Sequence, residues 1–353
     1  MSKSNKKQLD KKSLENKCLE CDNNSQETKR ENKTLLMRSN DGGISGNRDL
    51  ESKNINTGSS SSIDNDLNTL GDEKSQYEAI RYLGNRYMWL AQYDMVVGLN
   101  HKKPVISIPC QDAAFATSSP RPMIMIADGA GSSVVSDLGA VSVITGVARF
   151  LYTMERSLVN LLDGETSDKE DDGIRTFSLL IVKHAKGILE DLSILHRRPI
   201  KDFRCTLLLG VVGKAKTMWL KVGDGALVVE KKYIEGEEIK SELQMLGEVG
   251  KGEFANYTTF IDENIQFEDV QSGVLSSDKI CALFAMSDGA AEKLVANDGT
   301  KIADRLVSWA DLLRNNKLNR RILTTTFYSD AFLNNHTGDD CSVAIISSKF
   351  NEC

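Results

Sequence analysis

Met123-Ile124-Met125-Ile126-Ala127-Asp128-Gly129-Ala130-Gly131 is a continuous apolar run that stops at an aspartate followed by glycine. A second stretch repeats the pattern, Ala282-Leu283-Phe284-Ala285-Met286 running into Ser287-Asp288-Gly289. Short apolar runs closed by turn chemistry read as strands buried on both faces. Taken singly, an Asp-Gly after a strand is a common turn. Two further stretches carry their acid at the other end: Gln111-Asp112 opens the expected strand Ala113–Thr117, and Gly338-Asp339-Asp340 opens Ser342–Ile346. In an antiparallel sheet the end of one strand lies beside the start of its neighbour, so these carboxylates can converge at one edge.

A cluster of like charges needs a compensating cation. Carboxylates and backbone carbonyls suit hard divalent ions such as Mg²⁺ and Mn²⁺, whereas zinc favours Cys and His. The chain has only 4 histidines. Glycine after aspartate leaves room for the carbonyl of Gly129 to face a metal. Two such ions can share a water and lower its pKa.

Working outward, expected strands also fall at Thr206–Val212, Thr217–Val222, Ala226–Glu230 and Ile280–Met286, with weaker signals in Tyr233–Ile239, Leu243–Leu246 and Tyr257–Ile261. Leu138, Val141, Ile144, Ala148, Leu151, Met154, Leu158 and Leu161 recur at helical spacing, as do Ile174, Phe177, Ile181, His184, Ile188, Leu192 and Leu195. They predict two amphipathic helices, with His184 a packed core residue. Strands on both sides of a helical pair imply an α+β layered domain, its sheets covered by helices.

Residues 1–76 are rich in Asn, Ser, Lys, Asp and Glu and too poor in apolar side chains to offset the entropy of ordering. They read as a disordered polar tail, with one domain over 77–353. At 40% hydrophobic and 27% charged, the chain can bury one sizeable core. A net charge of -6 argues against nucleic-acid binding. No apolar run reaches membrane-spanning length and the N-terminus lacks a signal core, so no membrane partner and a cytoplasmic location are expected. The 7 cysteines are odd in number and scattered, which suits reduced thiols; Cys18 and Cys21 form a lone CxxC, weak evidence for zinc.

In this order and spacing the acidic motifs resemble those of the type 2C metal-dependent protein serine/threonine phosphatases, in a bacterial-like form. The resemblance runs from about Ala91 to Ile346. It is carried by Gln111-Asp112, Asp128-Gly129-Ala130-Gly131 with Gly139-Ala140 in the helix behind it, Gly223-Asp224-Gly225, Ser287-Asp288-Gly289 and Asp339-Asp340-Cys341-Ser342-Val343. It implies a β-sandwich of two antiparallel sheets flanked by helices. It also implies that two Mn²⁺ or Mg²⁺ ions activate a bridging water against phosphoserine and phosphothreonine in proteins. Asp128 would bridge both metals, Asp288 and Asp339 would hold the first, and the Gly129 carbonyl would hold the second. Asp112 would serve the second directly or through water. Asp224 resembles a position that can hold a third ion, with a plain turn aspartate as the alternative. A phosphoprotein substrate and an opposing serine/threonine kinase are the implied partners.

Two departures stand out. Many eukaryotic members carry His after the Asp-Gly as an acid for the leaving group, where Ala130 stands here. The phosphate-binding arginine, five residues before the first metal aspartate in many members, is replaced by Ser107. His101, Lys102 and Lys103 are then the candidates for phosphate contact, against the alternative of a solvated basic cluster. These losses motivate a rival reading as a catalytically weak pseudophosphatase that acts as a binding module. A second rival keeps the centre but takes small phosphate esters.

Overall fold

The computed structural model describes residues 87–102, 107–164, 170–235, 238–248 and 258–350. The expected tail over 1–76, the domain start at 77 and Lys103 lie outside the described residues.

Ten strands form two antiparallel sheets. One has the order β1-β10-β9-β6-β7, built from β1 (Tyr87–Val96), β6 (Ala226–Glu235), β7 (Glu238–Leu246), β9 (Ile280–Met286) and β10 (Cys341–Phe350). The other has the order β2-β3-β4-β5-β8, built from β2 (Asp112–Thr117), β3 (Met123–Asp128), β4 (Leu207–Val212), β5 (Lys216–Val222) and β8 (Gln271–Ser276). Against the second sheet lie α1 (Ser136–Thr153), α2 (Glu155–Leu162) and α3 (Glu170–His196). Against the first lie α4 (Asp288–Leu294), α5 (Arg305–Arg314), α6 (Arg320–Phe327) and α7 (Asp330–Leu333). The fold is the expected α+β sandwich of two antiparallel sheets flanked by helices.

Strand periodicity explains why the apolar runs have no polar gaps. Successive side chains of a strand point to opposite faces. On β3, Met123, Met125 and Ala127 pack under α1 and α3, while Ile124 and Ile126 meet Leu227, Leu283 and Ile346 between the sheets. On β9, Phe284 and Met286 face Trp309 and Phe327, and Leu283 and Ala285 face the other sheet. Both faces of each central strand are dry, so every position is apolar until the strand leaves the core at its aspartate.

The helical stripe from Leu138 to Leu161 divides at Met154, which ends α1 and begins α2. Its buried face runs through Ala140, Val143, Ile144, Val147 and Leu151, with Val141 turned to solvent. His184 stacks on Phe150 at a ring separation of 4.7 Å, as its place on the stripe suggested. The weak strand expected over Tyr233–Ile239 is the end of β6 and the start of β7. Tyr257 lies outside the described residues, Thr258 to Phe260 form no strand, and Ile261 makes only an isolated bridge to Cys205. No described helix is long and apolar enough to cross a membrane.

Candidate metal centre

Register decides which acids meet. In the β2–β3 ladder Asp112 stands directly opposite Asp128, the last pair before both strands leave the sheet. Asp288 follows β9 as the first residue of α4, and its Oδ1 accepts the Gly289 N–H at 2.6 Å. Asp339 precedes β10, which pairs with β9, so the two sheets present their acids at one end. A cavity of about 180 Å³ opens there, lined by Asp128, Gly129, Asp224, Asp288 and Asp339 among others. Asp224 sits on a turn whose Gly223 has φ of +110°, a conformation that favours glycine, and it accepts a hydrogen bond from the Thr258 hydroxyl.

The electrostatics are those of a site short of positive charge. Asp112 is 2% exposed and neither carboxylate oxygen has a hydrogen-bond partner. Burial pushes its carboxyl up to about 8, with Asp340 adding to the rise; the Ser287 and Ser342 hydroxyls lower it only in part and neither closes a hydrogen bond on it. Burial, then Asp112 and Asp288, hold Asp128 well above the usual carboxylate range. Asp288 is raised by burial, with Asp224 and Asp339 adding to it. An unpaired buried carboxylate is costly unless a cation or a proton meets it.

The donor set fits hard divalent ions. Its atoms are carboxylate and carbonyl oxygens, and the nearby thiols of Cys110 and Cys341 are driven upward by burial and by the same aspartates, which keeps them protonated. Gly129 is required where it stands, because a Cβ there would meet the Gln111 carbonyl and the Ser136 Cβ, each at 2.8 Å.

Three residues to which the sequence assigned no role hold this end together. Asp340 is 2% exposed; its Oδ1 accepts the Gly98 N–H at 2.6 Å and meets His101 Nδ1 at 2.9 Å, while its Oδ2 accepts the Gln111 N–H at 2.6 Å. It ties the turn after β1, the residue before β2 and the residue before β10 into one block. His336 accepts the Gly338 N–H on Nδ1 at 2.9 Å, so its proton sits on Nε2, which donates to the Gly289 carbonyl at 2.8 Å. That clamps the loop of Asp339 onto the helix of Asp288. Arg204 stands beside the Ala130 loop, where its carbonyl accepts the Ala130 N–H at 3.1 Å. Nothing local in the sequence marks any of the three beyond the repeated acid of Asp339-Asp340.

The two described phosphate-contact candidates are engaged with the protein. His101 is turned onto Asp340, with Nε2 4.0 Å from Asp339 Oδ1. The Lys102 ammonium donates to the Tyr328 hydroxyl at 2.6 Å and lies 4.0 Å from the centre of that ring.

The sequence model of the protein phosphatase 2C family matches residues 103–325, more than half of the chain. The chain belongs to the protein phosphatase 2C family. No curated protein matches this family member significantly in sequence. Among solved structures it is similar to the serine/threonine phosphatase Stp1 from Staphylococcus aureus, at 13% identity and a TM-score of 0.43, over 74% of this chain and 95% of that one. It is also similar to the serine-threonine phosphatase 2C from Toxoplasma gondii, at 11% identity and a TM-score of 0.49, over 74% and 96%. The catalytic domain of PstP, a serine threonine protein phosphatase in complex with 2 manganese ions, gives 11% identity and a TM-score of 0.46, over 74% and 99%. Membership of the phosphatase 2C family rests on the sequence match.

Proposed function

We propose that this chain hydrolyses phosphoserine and phosphothreonine in proteins, with two divalent ions, Mn²⁺ or Mg²⁺, held by Asp112, Asp128, Asp288, Asp339 and the Gly129 carbonyl. Asp224 is the site for a third, weaker ion. A phosphoprotein of the cytoplasm is the substrate in this reading, and a serine/threonine kinase opposes it. The observation that carries it is Asp112, a buried carboxylate with no hydrogen-bond partner, facing Asp128 across the ladder. A chain with no use for a cation has little physical reason to keep such a pair.

When bound, the ions lower the pKa of water and neutralise phosphoryl oxygens. The chain's own residues supply position. Asp340 fixes the backbone ahead of Asp112 and beside Asp339. His336 fixes the spacing of the Asp288 and Asp339 backbones. With Ala130 where many eukaryotic members carry histidine, the leaving alkoxide takes its proton from water or from another group. His101 lies beside Asp339, whose carboxylate lines the cavity.

The test is phosphate release from a phosphothreonine peptide, with and without Mn²⁺, by the wild type and by Asp128→Ala. Release that needs Mn²⁺, stops in excess EDTA and is lost in Asp128→Ala supports the reading. Undiminished turnover in EDTA would sink it, and Mn²⁺ binding without turnover would favour the pseudophosphatase.

A further inference from the structure

Fixed positive charge at the mouth of the cavity would help hold a phosphate dianion there, and the expected donors among the described residues are replaced or occupied. Ser107 replaces the arginine seen in relatives, Lys102 is held on Tyr328, and His101 is held on Asp340. The guanidinium of Arg204 is differently placed. It lies 5.0 Å from the centre of the Phe260 ring, donates from Nη2 to the Ser132 hydroxyl at 2.8 Å and from Nε to the Ser133 hydroxyl at 3.2 Å. Phe260 and Gly131, the neighbour of Ser132, both line the cavity. The next residue, Cys205, bridges Gly129 on one wall and Ile261 on the other. The side chain is therefore held against Phe260, a residue of the lining, by a segment stitched to both walls.

Its partners are neutral. Among the described residues no carboxylate pairs with Arg204. The two serines use Nε and one hydrogen of Nη2, which leaves Nη1 and the other Nη2 hydrogen, the end-on edge by which a guanidinium grips phosphate with two parallel hydrogen bonds. The cation–π contact with Phe260 consumes none of those donors.

We propose that Arg204 contacts the phosphoryl group of the substrate at the mouth of the cavity, a binding role that rests on the hydrolase reading above. It serves phosphate monoesters in general, because it meets the group common to all of them.

The probe is inorganic phosphate, titrated into the full chain in Mn²⁺ and followed both by thermal stabilisation and by inhibition of p-nitrophenyl phosphate and phosphothreonine-peptide hydrolysis. Arg204→Ala should weaken phosphate binding about tenfold and raise KM for both substrates by a similar factor, with kcat changed by less than about threefold. Arg204→Lys should fall between, and Mn²⁺ stabilisation should match the wild type in both variants. Phosphate binding unchanged by Arg204→Ala overturns the proposal, as does an effect confined to the peptide or a loss of Mn²⁺ stabilisation in parallel. If Arg204→Ala does not fold, Arg204→Lys and Arg204→Gln carry the same comparison. The thermal titration keeps this distinct from the hydrolase reading: wild type that turns over neither substrate can still bind phosphate through Arg204. Wild type that is not stabilised by phosphate at all overturns the proposal outright.

Discussion

Asp112 and Asp128 face one another as a cross-strand pair at the last rung of the β2–β3 ladder, and the oxygens of Asp112 have no hydrogen-bond partner. Like charges directly opposite on a ladder destabilise it. In the metal-free protein that repulsion is relieved by protons, which makes stability depend on pH.

The sign follows from the direction of the shift. Asp112 moves from 3.8 up to about 8 on folding, so between those values the folded state holds a proton that the unfolded state has released. The contribution of Asp112 to stability is fully present below about pH 4 and is lost as pH rises toward 8, with a slope of up to about 1.4 kcal/mol per pH unit. Melting of the EDTA-treated protein from pH 5 to 8 should show this fall, and Asp112→Asn should flatten it while raising the melting temperature at pH 8. An equal slope in both proteins would refute the assignment.

Asp340 is expected to act through backbone position. Asp340→Ala leaves the Gly98 and Gln111 N–H groups without acceptors in a buried setting, a loss of about 1–3 kcal/mol for each unpaired donor. Urea denaturation should register that loss. Mn²⁺ affinity should fall with it, because Gln111 precedes Asp112 and Asp339 precedes Asp340.

Gly139 carries the first turn of α1 against the segment before β4. A Cβ there would lie 1.8 Å from the Phe203 carbonyl oxygen. Gly139→Ala should therefore destabilise by about 1–3 kcal/mol through overpacking, despite alanine's better helix propensity. A melting temperature equal to wild type would show that the helix can shift without cost.

Deletion of residues 1–76 is expected to leave the cooperative melt and peptide turnover in place. The described core begins with β1 at Tyr87, whose partner is β10 at the far end of the chain. Differential scanning calorimetry of the shortened chain checks this; a broadened transition would move the domain boundary upstream.

The sequence by itself determined the strands that carry the site, because a strand buried on both faces must be apolar throughout, and its end is where polarity returns. That is why Met123–Asp128 and Ile280–Met286 were legible to within a residue. Asp112 and Asp339 were legible as residues ahead of such strands. β1, β8 and the helices from α4 to α7 were missed, since Gln271–Ser276 lacks a fully buried face and α4 is only a turn or two long. Only the tertiary structure decided which acids face one another and what each loop is tied to. Asp340 reaches Gln111 across 229 residues of chain and Gly98 across 242, and Arg204 reaches Ser132 across 72. Local pattern encodes burial, which every residue feels through its own neighbours. It does not encode which distant segments meet, and that pairing is what set Asp112 opposite Asp128 across the ladder and bound Lys102 to Tyr328.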